Sequence, residues 1–270
     1  MVNTSEHTFA VLAYKESPYI EDCIISLKKQ SMKSNIIIAT STPSAFLELL
    51  SKKHVIPLMV NTGHKTIASD WSFAYNSCST PYVTLAHQDD IYDPDYTQAT
   101  LLLVKKRRYD PLIVFTDYHE LLPDARVRKT DINILIKRML LSLFVFKKHV
   151  RSRFCKKLII RFGNPICCPS VMYHKAKIGP FQFSNEYVFN LDWDAWIRLS
   201  AQPGSFVYLN QDMVAHRIHK DSQTSLVIRN NIRKDEEQKL FGRLWPHYIA
   251  RILTGVYSAA AKSNIEERYG

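Results

Sequence analysis

The chain has 270 residues, 46% of them hydrophobic, enough for one large α/β domain or one such domain with a small appendage. Its 36 Lys and Arg exceed its 25 Asp and Glu, for a formal net charge of +11. Its five cysteines (Cys23, Cys78, Cys155, Cys167, Cys168) are odd in number and lack metal-knuckle or redox-pair spacing. That pattern argues against a zinc ribbon and for buried or incidental thiols in a reducing compartment. The N-terminus lacks the charged start and apolar run of a signal peptide, and no apolar stretch approaches the length of a membrane span. The expected location is the cytoplasm.

Residues 9–14 form a short apolar run suited to a buried strand, and 21–30 follow with helical spacing of Ile24, Ile25 and Leu27. A second buried strand is expected over 35–40. Pro43 and Ser44 then suit the start of a helix over 45–53. Residues 54–60 read as a third strand, 65–78 as a helix, and 82–86 as a fourth strand. Strand and helix alternating at this spacing imply an α/β fold with a mainly parallel, doubly wound, Rossmann-like sheet flanked by helices. A helix over 95–108 and a strand over 112–116, ending at Asp117, continue the pattern. Residues 123–161 break it and read as a basic helical insert. Beyond them, 166–173 and 205–209 read as strands around a helix over 193–201, which Pro203 and Gly204 end. The expected organisation is a main domain over 1–225, carrying the insert, and a helical C-terminal extension over 226–270.

The fourth strand stops at two adjacent carboxylates, Asp89 and Asp90. Open α/β sheets bind ligands at such strand ends, and two neighbouring anions repel unless a cation or other ligand neutralises them. The plainer alternative is that 89–95 caps the next helix, with Pro94 near its first turn. This segment alone leaves both readings open.

Five segments carry a resemblance. They are Val-Leu-Ala-Tyr at 11–14 with the helical stretch 17–30, Pro-Tyr-Val-Thr-Leu-Ala-His-Gln-Asp-Asp at 81–90, and Pro-Ser-Val-Met-Tyr at 169–173. Leu-Asp-Trp-Asp-Ala-Trp-Ile-Arg-Leu at 191–199 and His-Arg-Ile-His-Lys-Asp-Ser at 216–222 complete the set. In this order and spacing over 8–225 the chain resembles family 2 glycosyltransferases, which have the GT-A fold. The resemblance implies an inverting, metal-dependent transfer of a sugar from a nucleotide-diphosphate donor to a hydroxyl of a glycan or lipid-linked acceptor, in surface polysaccharide synthesis.

The resemblance also assigns residues. The family's Asp-x-Asp metal motif becomes His87-Gln88-Asp89, leaving Asp89 as metal ligand for Mn2+ or Mg2+. His87 stands where the first carboxylate is expected, and its imidazole can donate to ribose or coordinate Mn2+ better than Mg2+. His219 matches a histidine that the family often places near metal or diphosphate, though a lone histidine is commonly structural. Asp192 matches the catalytic base, which takes the proton of the attacking hydroxyl. The alternative for Asp192 and Asp194 is helix N-capping, which suits Asp194 better. Donor contacts are expected at Ala13, Tyr14 and Glu16, at Asp70, and at Arg217 on the diphosphate. After the second strand the family commonly has Asp-Asp-Gly-Ser. Here Ala39-Thr-Ser-Thr-Pro43 has no acid, so Thr40 and Ser41 are the candidates for the base. Trp71 reads as a core residue.

Residues 126–161 hold twelve Lys or Arg against one acid, Asp131, interleaved with apolar residues such as Ile134, Met139 and Phe144. Cationic helices with an apolar face lie on anionic membranes, which suits peripheral contact at the inner face of the cell membrane. Packing of that face on the domain's own core, or a homodimer interface, stays open. No nucleic-acid fold signature accompanies the charge, and nucleic acid is not an expected partner. A catalytically inactive relative serving as a binding or scaffold subunit is the rival reading. A sugar nucleotidyltransferase would want a glycine-rich loop after the first strand, where residues 13–16 have no glycine.

Overall fold

The computed structural model describes residues 5–107, 109–122, 127–129, 132–219 and 232–269. The first half alternates β1 (His7–Ala13), α1 (Ile20–Lys28), β2 (Asn35–Thr40), α2 (Ala45–His54), β3 (Leu58–Val60), α3 (Ile67–Ser77) and β4 (Tyr82–His87). A short β5 (Ile91–Tyr92), α4 (Tyr96–Arg107) and the long β6 (Pro111–Leu121) follow. Next come β7 (Val127–Arg128), α5 (Ile132–Leu140), α6 (Leu143–Phe146), β8 (His149–Val150) and α7 (Arg153–Ile160). The rest of the chain forms β9 (Val171–His174), α8 (Lys175–Ile178), α9 (Leu191–Ser200), β10 (Ser205–Arg217), α10 (Ile232–Leu244) and α11 (His247–Tyr269).

The sheet runs β3-β2-β1-β4-β9-β6-β10-β5. β1 lies parallel to β2 and β4, and β2 to β3. β9 enters antiparallel between β4 and β6, and β10 returns parallel to β6. Both faces are covered, which explains why β1 reads as a continuous apolar run rather than an alternating one. Phe9, Val11 and Ala13 pack with α1 and α2 on one face. Ala10 faces the other, in a core that includes Tyr75, Trp193 and Trp196.

Local chemistry sets the element ends. Ser44 caps α2 by accepting Leu47 N–H, and Thr66 caps α3 by accepting Ser69 N–H. α2 extends to His54, whose ring bonds Glu21 at 2.7 Å, and Val55 turns out of it with φ +55°. The expected third strand therefore shrinks to Leu58–Val60. The strand expected over 166–173 begins only at Val171, because a 3-10 turn over Cys168–Ser170, with Pro169 inside, precedes it. β10 is far longer than 205–209 because bulges around Asp212 let it resume pairing with β6 as far as Arg217.

The segment expected as purely helical over 123–161 contains two short strands, β7 against β6 and β8 against β10. Its amphipathy is mixed, with Ile134, Leu141 and Phe144 buried. Lys137 and Arg138 turn inward to Tyr118 and Asp117, while Leu135, Ile136 and Met139 stand 50%, 38% and 64% exposed. Arg126 and Asp131 of this segment, and Lys220, Asp221 and Ser222 of the fifth motif, lie outside the described residues. So does the expected 225/226 boundary. Leu240, Phe241 and Ala250 of α10 and α11 belong to the same core cluster as Trp193. All five cysteines are free, and among the described residues no helix is long and apolar enough to cross a membrane.

Candidate active site

The C-terminal ends of β1, β2 and β4 lie side by side, with Leu12 opposite His87 and Ala13 opposite Thr40. The Gln88 side chain ties two of them together. Its Oε1 accepts Tyr14 N–H at 3.0 Å, and its Nε2 donates to the Tyr14 carbonyl at 3.2 Å. Lys15, with φ +56°, then donates its N–H to Thr42 Oγ1 at 2.7 Å. The loop carrying Ala13, Tyr14 and Glu16 is thus fastened to both neighbouring strand ends, with Tyr14 and Glu16 exposed.

Past β4 the chain turns, and Asp89 and Asp90 meet the end of β10. His219 Nε2 and Asp89 Oδ2 are hydrogen-bonded at 2.9 Å. Burial alone would raise the Asp89 carboxyl, but the His219 bond and the charges of His87 and His216 hold it below the usual carboxylate range. Asp90 is fully buried; its Oδ1 accepts His216 Nδ1 at 2.9 Å and Arg217 N–H at 3.0 Å. Burial works against protonation of His216, but Asp90 beside it outweighs that and raises the imidazole above its ordinary value. The Arg217 guanidinium donates from Nε to the Asp89 carbonyl at 3.0 Å and lies 4.5 Å over the Tyr19 ring. Tyr19 also faces His219, with ring centroids 5.0 Å apart. Asp90 therefore serves the fold by locking β10 to the β4 turn, and neither aspartate caps α4, whose entry is shaped by Asp93 accepting Asp95 N–H.

His87 packs against Trp71, ring centroids 5.3 Å apart, and Trp71, partly buried, packs in turn against the main core through Phe183. Nearby, Ser41 donates to Asp70 Oδ2 at 2.7 Å, and Asn61 Nδ2 donates to Asp70 Oδ1 at 2.8 Å. Thr40, buried, accepts Thr42 N–H at 2.9 Å. The carboxylate of Asp70 of α3 thus lies beside Ser41 at the end of β2, where the sequence has no acid of its own.

Asp192 lies in the first turn of α9, two residues further into the helix than expected, because α9 starts at Leu191 rather than at Trp193. Asn190 occupies the cap position without a side-chain cap bond, so neither Asp192 nor Asp194 is the cap. Asp194 is 2% exposed and paired with Arg198 at 2.8 Å and with Arg243 of α10, a structural tie. Asp192 instead accepts Asn164 Nδ2 at 2.7 Å and Trp193 N–H at 2.7 Å. Burial pushes its carboxyl above the ordinary range against those two bonds, and Lys137 and His87 are near enough to favour its charged form. Asn164 is itself held from the C-terminal helix, since Tyr257 Oη accepts its N–H at 3.2 Å. Gly163 makes this approach feasible: φ is +150°, and a Cβ there would meet the Tyr257 ring at 2.6 Å.

The donor set fits a divalent cation. His87, Asp89 and Asp90 each bring one ligand atom within 4.8 Å of the others. Two buried atoms in that cluster, His87 Nε2 and Asp90 Oδ2, have no hydrogen-bond partner among the described residues. Buried polar atoms are rarely left so. Gln88, Asn164, Tyr257 and the inward-facing Lys137 and Arg138 were not singled out as site residues by sequence. Gln88 could have been suspected from its place inside the His-x-Asp motif, whereas nothing local marks Tyr257, which is 93 residues from Asn164.

Comparison with known proteins sets this geometry in context. No curated protein matches the chain. Among solved structures, S. aureus TarS 1–349 is similar with a TM-score of 0.61 and 11% identity, over 87% of this chain and 64% of that one. TarS 1–349 in complex with UDP-GlcNAc gives 0.59 and 11%, over 88% and 71% respectively. The longer S. aureus TarS gives 0.57 and 11%, over 90% of this chain and 43% of that one. The chain thus spans 64% of the length of the first of these, and the likeness is one of fold, an open α/β sheet flanked by helices. The family model described as Glycosyl transferase family 2 matches residues 8–171, and with more than half its length matched the chain belongs to that family.

Proposed function

We propose that the chain is an inverting glycosyltransferase that moves a sugar from a nucleoside-diphosphate donor to a hydroxyl of a glycan or lipid-linked acceptor, in the building of a surface polysaccharide. The observation that carries this reading is a pair of carboxylates with opposed environments, both within reach of His87. Asp89 is held below the usual range and Asp192 above it. Such divergence is what separate electrostatic and proton-accepting roles require.

In this reading the donor lies across the ends of β1, β2 and β4. Asp70, Ser41 and Thr40 face the base, the fastened loop at Tyr14 and Glu16 borders the ribose, and Arg217 reaches the diphosphate. The TarS complexes with UDP-GlcNAc and UDP support a nucleoside-diphosphate donor here too. Asp89 and His87, with the Asp90 carboxylate beside them, would hold Mn2+ or Mg2+, which when bound offsets the charge gathering on the departing diphosphate, and His219 would orient Asp89 through their 2.9 Å bond. Asp192 accepts the proton of the acceptor hydroxyl while that oxygen bonds to the anomeric carbon and the bond to the diphosphate breaks. Displacement from the opposite face inverts the configuration. Asn164 and the Trp193 N–H fix both oxygens of the base, so little reorganisation is needed as it takes the proton.

The exposed Leu135, Ile136, Met139 and Leu143, followed by exposed Lys147, Lys148, Arg151 and Arg153, support contact with an anionic membrane on which a lipid-linked acceptor is presented. Donor hydrolysis and transfer across a panel of nucleotide-sugars tests the enzymatic reading. Absence of both, with no binding of any nucleoside diphosphate, would leave a binding or scaffold subunit instead.

A further inference from the structure

The cation cluster contains an imidazole among its carboxylates, and that changes which ion it favours. Building on the transferase reading above, we propose that His87 is a direct ligand of the cation and turns the site from Mg2+ toward transition-metal dications, Mn2+ and above it Co2+. His87, Asp89 and Asp90 converge to within 4.8 Å at their ligand atoms. The fully buried Asp90 keeps Oδ1 on His216 and Arg217 but leaves Oδ2 without a partner among the described residues. His87 Nε2 is likewise buried and unpartnered among them, and both atoms are in a state that a bound cation satisfies.

The rotamer of His87 is set from outside the cluster. Trp71 packs on its ring with centroids 5.3 Å apart, and Phe183 braces Trp71 edge-on at 5.3 Å. An imidazole confined in this way is pre-set as a ligand. Mg2+ takes hard oxygens in near-ideal octahedral geometry and gives up water reluctantly. Mn2+ and Co2+ accept imidazole nitrogen, with affinity for a given N/O site rising from Mn2+ to Co2+. Exchanging one carboxylate of a two-carboxylate motif for a neutral nitrogen therefore weakens the site for Mg2+ most. The competing use of His87 is as a hydrogen-bond donor to ribose, which makes no such distinction between ions.

The test measures cation binding rather than turnover. Mn2+ is titrated into the full chain by the paramagnetic resonance signal of the free ion, with Mg2+ and Co2+ as competitors, alone and with UDP. Wild type is compared with His87→Asp, His87→Gln and His219→Gln, each checked for a wild-type-like melting curve. The preference for Mn2+ over Mg2+ should fall by about tenfold or more in His87→Asp, the scale on which altering a metal's surroundings acts. Hyperfine coupling of bound Mn2+ to a directly bonded nitrogen should disappear in His87→Gln and persist in His219→Gln. An unchanged ion preference in His87→Asp, or nitrogen coupling that survives His87→Gln, would overturn the proposal while leaving a metal-dependent transferase intact. Failure of Mn2+, Mg2+ and Co2+ to bind, with or without UDP, would remove both. If His87→Asp does not fold, the coupling measured on His87→Gln decides.

Discussion

Gln88 and Tyr14 pair amide to peptide across the site, side-chain oxygen to N–H at 3.0 Å and side-chain nitrogen to carbonyl at 3.2 Å. The side chain of the middle residue of the His-x-Asp motif is thus engaged by the loop after β1, which in the proposed reading borders the donor. Gln88→Ala removes both bonds at a solvent-facing position. Each is worth on the order of 1 kcal/mol, so the donor KM should rise by about 5–30-fold, with a fall in melting temperature of only a few degrees. Steady-state kinetics with saturating acceptor reads the split; a change in kcat alone would argue against a positioning role.

Asp192 must be ionised to accept a proton. Because burial raises its folded-state pKa, the rate should climb with pH through that raised value rather than through the ordinary carboxylate range. The Asn164 amide bond favours the carboxylate form. Asn164→Ala should therefore move the acid limb of the kcat/KM profile further toward alkaline pH, with much of the rate returning at high pH. An acid limb that stays where it is in Asn164→Ala would detach Asp192 from proton transfer.

His7 is a second buried ionisable group with a computable consequence for stability. Its ring is fully buried between Ser34 and Thr84, at 2.9 and 3.0 Å, and burial lowers its pKa from 6.5 to about 3. The folded chain keeps it neutral while the unfolded chain protonates below 6.5. Its contribution is complete above that value and is lost as pH falls toward 3, at about 1.4 kcal/mol per pH unit. Urea midpoints for wild type and His7→Gln at about pH 7.5 and about pH 5 should converge on acidification; a constant gap would contradict this.

The mixed inner face of α5, Ile134 beside Lys137 and Arg138, separates two roles for the segment's residues. Lys137 and Arg138 are engaged inside, so the proposed membrane attraction would rest on Lys147, Lys148, Arg151 and Arg153. Neutralising those four should abolish co-sedimentation with vesicles containing anionic lipid, at roughly 1 kcal/mol per charge, and raising salt should do the same to wild type. Met139→Ser with Leu135→Ser should weaken binding without changing its salt dependence. Equal sedimentation of wild type with neutral vesicles would refute an electrostatic contact.

The parallel half of the sheet was legible because buried strands such as β1 and β2 are short apolar runs separated by helical periodicity. The ends were less so. Val55 closes α2 in a left-handed conformation that no glycine announces, and the bulges around Asp212 are invisible in a run that simply turns polar. The strand ends bearing His87, Asp89, Arg217 and His219 could be found because motif spacing marks them, and the fold brings all four together. Asn164 and Tyr257 could not, since the support they give Asp192 depends on a C-terminal helix packing over Gly163. The direction of the α5 cations was missed for a similar reason. Periodicity shows that charged and apolar positions differ, whereas the buried Asp117 and Tyr118 draw Lys137 and Arg138 to the inner side beside Ile134.

The central claim is that Asp89 and Asp192 act on one reaction in different ways, and one comparison tests it directly. Asp192→Asn and Asp89→Ala are assayed for sugar transfer with the best donor from the nucleotide-sugar panel, alongside calorimetric binding of the matching nucleoside diphosphate. Asp192→Asn should lose transfer by at least about 100-fold, the scale of a missing general base, while keeping nucleotide binding. Asp89→Ala should lose both. Near-wild-type transfer by Asp192→Asn, or undiminished nucleotide binding by Asp89→Ala, would contradict the account.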